Sequence, residues 1–169
     1  MYSLEDKHNP AQSQAFREKL LEYLKISQEA PECLQVWFGD ESKFSLRVII
    51  RKTWGQKGRR KKVTGQRRRG RVNMMGGLRY NDKKRISFVI EKGDADTFYR
   101  EIKALQILLR KEWVETGKPE NFFNSWGQKK FIILDNASFH KRKDILAKIE
   151  AEMPNIRLGF LPFYSQDLI

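Results

Sequence analysis

A single cysteine, Cys33, stands in the whole chain. No internal disulfide can form, which excludes a disulfide-stapled secreted scaffold and fits a reducing, cytoplasmic compartment. Histidine is nearly as scarce: His8 and His140 lie far apart, and with one Cys they cannot assemble a finger-type zinc site. No apolar run approaches the roughly 18 residues of a membrane span. The start, Met1-Tyr2-Ser3-Leu4-Glu5-Asp6, lacks the basic-then-apolar layout of a signal peptide, so no membrane partner is expected. The most informative absence is acid. Between Glu41 and Asp82 there is no Asp or Glu, and that window holds 14 of the 34 Lys and Arg. The remaining 20 basic and 21 acidic residues nearly cancel, so the whole net charge of +13 belongs to one quarter of the sequence.

The densest part of that window is Lys57, Arg59, Arg60, Lys61, Lys62, Arg67, Arg68, Arg69 and Arg71, spaced by Gly58, Gly65 and Gly70. A localised basic loop is the electrostatic footprint of a contact with a phosphate backbone. A solvated loop without a dedicated partner has the same composition. Self-repulsion makes so dense a cluster costly to hold together, which favours a polyanion. The run also lacks the apolar face of a helix that lies on a membrane surface.

With 169 residues and 40% hydrophobic content, the chain is long enough to bury the core of one domain. Asn9-Pro10 opens a helix, with Phe16, Leu20 and Leu24 at helical spacing through about Ile26 and Pro31 closing the segment. Val36-Trp37-Phe38-Gly39-Asp40 reads as a buried strand that breaks at its acid, and Ser45 to Ile50 as an alternating, half-buried strand. Val72 to Tyr80 and Ile86 to Ile90 follow as strands joined by a turn at Asn81-Asp82-Lys83-Lys84. Asp94 caps a long helix whose stripe is Phe98, Ile102, Leu105, Leu109 and Trp113, ended by Gly117 and Pro119. Phe131-Ile132-Ile133-Leu134 is a continuous apolar strand, expected to be central and covered on both faces. A helix from about Lys141 to Glu152 and a strand from Ile156 to Leu161 complete the order. That order predicts an α/β fold with a mixed sheet, early hairpins leading through a right-handed crossover into parallel strands.

Two apolar strands therefore run into aspartates, Asp40 and Asp135. If they are neighbours, their ends bring two carboxylates together, a donor set for a hard cation. Each acid alone has a plainer reading, Asp40 as a turn residue and Asp135 as a loop or capping residue.

Beyond these patterns, the chain resembles a known family. Phe38-Gly39-Asp40-Glu41-Ser42-Lys43-Phe44 is similar to the first acidic motif of DDE transposases in the mariner superfamily, in its bacterial insertion-sequence branch. Thr53-Trp54 with Gly58 resembles the Trp-x-x-x-Gly element that follows, and Arg71-Val72-Asn73-Met74-Met75-Gly76-Gly77-Leu78 the next strand. Leu134-Asp135-Asn136-Ala137-Ser138-Phe139-His140 matches the second acidic motif, Asp-Asn-x-x-x-His. Leu161-Pro162-Phe163-Tyr164-Ser165-Gln166-Asp167-Leu168 resembles Leu-Pro-x-Tyr-Ser-Pro-Asp-Leu, with Gln166 in place of the usual Pro. The motifs follow in order over about residues 35 to 169.

The resemblance implies a ribonuclease H-like mixed sheet with helices on both faces, its first and fourth strands adjacent. It implies Asp40 and Asp135 as catalytic residues and as ligands of a two-metal site, with Mg²⁺ as the natural ion and Mn²⁺ as a substitute. Asn136 and His140 would orient the site, and His140 is not expected on the metal, because Mg²⁺ prefers oxygen. The implied partners are DNA, as transposon ends and target, and a homodimer or a full-length transposase. The implied activity is DNA strand cleavage and strand transfer in transposition. In the family the third carboxylate lies in a following Asn-Pro-x-Glu, and Asp167 does not match it. The expectation is thus a helical segment over residues 1–30 and a catalytic domain over 31–169 with its last helix missing and its activity impaired. Open apolar surface near Phe160, Leu161 and Phe163 is expected as well. The alternative is a non-catalytic DNA-binding fragment.

Overall fold

The computed structural model describes residues 10–45 and 70–162. Helix α1 (Pro10–Glu29) leads into strands β1 (Leu34–Ser45), β2 (Arg71–Arg79) and β3 (Arg85–Ile90). Helix α2 (Ala95–Glu115) follows, then a 3-10 turn (Glu120–Phe122) that runs into the single-turn helix α3 (Phe123–Trp126). Strand β4 (Lys129–Leu134), a second 3-10 turn (Ser138–Lys141), helix α4 (Lys143–Glu152) and strand β5 (Ile156–Phe160) complete it. The strands form one sheet in the order β3-β2-β1-β4-β5. β1 pairs antiparallel with β2 and β2 with β3, while β4 lies parallel to both β1 and β5. This is the mixed sheet that the order of elements predicts.

The pleat divides the core in two. Trp37, Ile132 and Leu134 face α2 and α4 in the larger cluster, where the whole α2 stripe from Phe98 to Trp113 is buried. Val36 and Ile133 face the other way, against Leu20 of α1 with Phe16, Tyr23 and Phe131 around them. β4 is thus covered on both faces, as a continuous apolar run requires. Burial of each large side chain such as Trp37 or Phe98 contributes about 1.5–3 kcal/mol. Asp94 caps α2 by accepting a hydrogen bond from Thr97 N at 2.8 Å, and Gly117 takes a positive φ of 79° just past its end. Among the described residues no helix is long and apolar enough to cross a membrane.

One expectation needs correction. β1 does not break at Asp40 but continues to Ser45, which pairs with Arg71 of β2. Pairing with β4 ends at Phe38↔Ile133, but the antiparallel ladder to β2 still satisfies the backbone, so the chain has no need to turn. The strand expected over Ser45 to Ile50 lies, past Ser45, outside the described residues. The helix expected from about Lys141 begins at Lys143, because Ser138–Lys141 form the 3-10 turn before it. Phe160 and Leu161 are half-buried against the two clusters, and Phe163 lies outside the described residues.

Candidate functional site

The register of the two parallel strands sets the geometry. Their last pair is Phe38↔Ile133, so two residues further on Asp40 and Asp135 come level. Both line one cleft of about 830 Å³, whose walls include Phe38, Met74, Leu78 and Ile133. Gly39, between Phe38 and Asp40, leaves room for the Leu134 side chain to pack over β1: a Cβ there would stand 2.8 Å from Leu134 Cδ2.

The carboxylates are held alike. Asp40 Oδ1 accepts the Glu41 N–H at 2.7 Å, and Asp135 Oδ1 accepts the Ala137 N–H at 3.1 Å. No hydrogen bond from a described residue reaches Oδ2 of either. As far as the described residues go, each acid therefore keeps an oxygen for a ligand in the cleft. Asn136 Oδ1 is also buried without a hydrogen-bond partner among the described residues. These are hard oxygen donors, the chemistry that Mg²⁺ and Mn²⁺ accept. Among the described residues no three His, Cys, Asp or Glu side chains are grouped to hold a metal, so Asp40 and Asp135 supply a pair and not a cage.

His140 sits behind this pair in the Ser138–Lys141 turn and is 3% exposed. Its ring lies against Phe98 and Phe139, at centroid distances of 4.6 and 4.2 Å. Nε2 is 3.1 Å from Glu41 Oε1. Nδ1 is 2.9 Å from Asp135 Oδ1, a close electrostatic contact without the alignment of a hydrogen bond. Glu41 was not singled out by the sequence, where it reads as a turn residue after Asp40. The available signal was the two-residue period: in a strand that continues, Glu41 must face opposite to Asp40, toward the packed side.

Of the basic residues, Lys57, Arg59, Arg60, Lys61, Lys62, Arg67, Arg68 and Arg69 lie outside the described residues. Arg71 opens β2, exposed, opposite Ser45. Five strand residues from Asp40 to Ser45 span roughly 17 Å. Of the basic residues named, Arg71 therefore stands on the ribbon that extends past the acids.

Comparison with known proteins was informative at the level of family and fold. The family described as DDE superfamily endonuclease matches residues 35–168. No match was found among functionally curated proteins. Among solved structures, the Mos1 mariner paired end complex with Mn has a TM-score of 0.56 at 15% identity, covering 95% of this chain and 45% of that one. A pre-cleavage Mos1 transpososome gives 0.53 at 13% identity, covering 92% and 44%. The Mos1 transposase paired-end complex with the left transposon end gives 0.53 at 12%, covering 92% and 43%. The chain thus spans less than half the length of these structures, and the likeness is one of fold.

Proposed function

The chain belongs to the DDE superfamily of endonucleases, and from that premise we propose that it carries the catalytic domain of a transposase of the mariner type, acting on DNA. The observation that carries this reading is that Asp40 on β1 and Asp135, just past the end of the neighbouring β4, line one cleft, each with an oxygen that takes no hydrogen bond from a described residue. In this reading residues 31–169 form the catalytic domain and residues 1–30 a helical segment before it. The two aspartates would hold the divalent cations, Mg²⁺ or Mn²⁺, with Asn136 and His140 orienting the site. When bound, such a pair activates an attacking water or 3′-hydroxyl and offsets charge on the leaving oxygen of a phosphodiester. The basic segment and Arg71 hold the DNA backbone, Arg71 itself standing roughly 17 Å from Asp40 along the β1–β2 ribbon. Transposon ends and target DNA are the substrates, and a second copy or a longer transposase is the partner. Several of the Mos1 structures that share the fold are named as complexes of paired ends, which supports a DNA substrate.

Nicking of supercoiled plasmid in Mn²⁺ tests the reading. We expect slow nicking by the chain as it stands and none by Asp135→Asn, which keeps the shape but removes the charge. Nicking that persists in Asp135→Asn would reject the assigned site.

A second reading, DNA binding without cleavage, is favoured by the nine basic residues from Lys57 to Arg71. Here the binding constant should fall with salt with a log-log slope of about −0.9 per phosphate contacted on duplex. Changing Arg67, Arg68 and Arg69 together to Ala should flatten that slope. A response to salt that is flat from the start would reject both the contact and this reading.

A further inference from the structure

β1 carries two acids in succession, and the pleat sends them to opposite faces. Asp40 lines the open cleft. Glu41 turns to the packed face, where its carboxylate is 17% exposed and lies 3.1 Å from His140 Nε2. The same imidazole presents Nδ1 to Asp135 Oδ1 at 2.9 Å. Phe98 and Phe139 fix the plane of the ring, and Gly93 closes behind Glu41: a Cβ there would stand 3.1 Å from Oε2 and 3.8 Å from Phe139 Cζ. Asp135 by contrast follows the last residue of β4, is 60% exposed, and takes one backbone hydrogen bond, from Ala137. An exposed carboxylate held that lightly would rotate between several rotamers.

From this arrangement we infer that Glu41 is a positioning residue, which acts through His140 to fix the carboxylate of Asp135 level with Asp40. β1 then carries Asp40 itself and reaches Asp135 through a buried imidazole. The inference rests on the reading of Asp40 and Asp135 as ligands of a divalent cation. Glu41 itself touches neither cation nor DNA in this scheme. The continuation of β1 past Asp40 is what makes it possible, since a turn at Asp40 would carry Glu41 away from the ring.

The chain has only two histidines, so its imidazole nitrogen spectrum is simple enough to assign. A ring that holds both carboxylates carries a proton on each nitrogen, so in the wild type the Nε2–H toward Glu41 and the Nδ1–H toward Asp135 should both exchange slowly with water. Glu41→Ala should lose that protection and shift the carboxyl carbon signal of Asp135, which Asp135→Asn identifies. Glu41→Gln keeps an acceptor oxygen and should restore both. Gly93→Ala presses on Glu41 from an exposed position and should move the same two signals in a chain whose fold is not at risk. Mn²⁺ titration of the same proteins should show binding weakened about 10–100-fold in Glu41→Ala and largely recovered in Glu41→Gln, the usual effect of disturbing a ligand's support. An Asp135 signal that ignores both Glu41→Ala and Gly93→Ala overturns the inference, whether or not the metal binds. Signals that respond as expected in a wild type that takes up no Mn²⁺ support the positioning contact and reject the metal reading instead.

Discussion

Lys130 is 1% exposed, its Nζ finds no hydrogen-bond partner among the described residues, and it stands 4.5 Å over the ring of Phe123. Burial pushes its ammonium down from 10.5 to about 8. At pH 7 the group is protonated in both the folded and the unfolded chain, and the folded chain bears the full desolvation cost. That cost fades as pH rises from about 8, and above 10.5, where both forms are neutral, it is gone. Lys130→Met should therefore stabilise the protein at pH 7 by about 2 kcal/mol, part of the cost being offset by the aromatic ring. Urea denaturation of the two proteins should show the gain shrinking between pH 8 and 10.5. Equal stability at pH 7 would mean that Lys130 has a partner in solution. Space, not conformation, decides a second residue. Gly127 has an ordinary φ of −64°, yet a Cβ there would stand 2.2 Å from the carbonyl oxygen of Phe123 and 3.0 Å from Asn155 Nδ2. Gly127→Ala must move backbone, and a loss of about 3 kcal/mol is expected from the urea midpoint. An unchanged midpoint would contradict that contact.

The turn between β2 and β3 is tied to α2 through one guanidinium. Arg79, 8% exposed and stacked 5.4 Å over Trp37, donates from Nε to Asp82 Oδ1 at 2.8 Å and from Nη1 to Glu112 at 2.8 Å. Lys84 meets the same Glu112. The hydrogen bond from Arg79 holds the Asp82 carboxyl at about 2, below its ordinary 3.8. A depressed carboxylate lends stability that is complete above the unfolded value and is lost as pH falls through the folded one. The melting temperature should thus drop between about pH 4 and pH 2 more steeply in the wild type than in Asp82→Asn, and parallel acid limbs would refute the tie. Elements of this kind show which parts of the fold are legible in the chain. The α2 stripe, the Asp94 cap and the apolar run of β4 are local patterns, and the structure has them where the residues place them. The continuation of β1 is not local: it depends on a ladder to β2 more than two dozen residues away, while Glu41-Ser42 alone reads as a turn. For the same reason the level placement of Asp40 and Asp135 was approachable from two apolar runs that end in acid, whereas the contact of Glu41 with His140 was not. Lys130 was hidden as well, since its burial depends on the layer that packs on the sheet, where Phe123 lies against its ammonium, and not on the local pattern of β4.

At the scale of the molecule, charge and an uncovered sheet face oppose each other. α1 covers β1 and β4, but on that side Phe44, Val72 and Val89 remain exposed, Val89 to 73%. Phe44 pairs across with Val72, and Val89 pairs with Met74, two residues further along β2, so all share one face of β1, β2 and β3. A contiguous apolar surface of this kind promotes association. The net charge of +13, nearly all of it between Glu41 and Asp82, repels a second copy approaching the same ribbon. Salt weakens the second effect and not the first, since the Debye length falls from ~30 Å at about 0.01 M to ~3 Å at about 1 M. Sedimentation velocity should accordingly find a mainly monomeric chain at low salt and growing self-association as salt is added. Val89→Lys combined with Phe44→Lys should suppress that association, because both replacements put charge on the face itself, where a neighbour would have to desolvate it. Association that declines with salt, or that survives the double substitution, would place the contact on a charged surface elsewhere and leave this face of the sheet without a role in it.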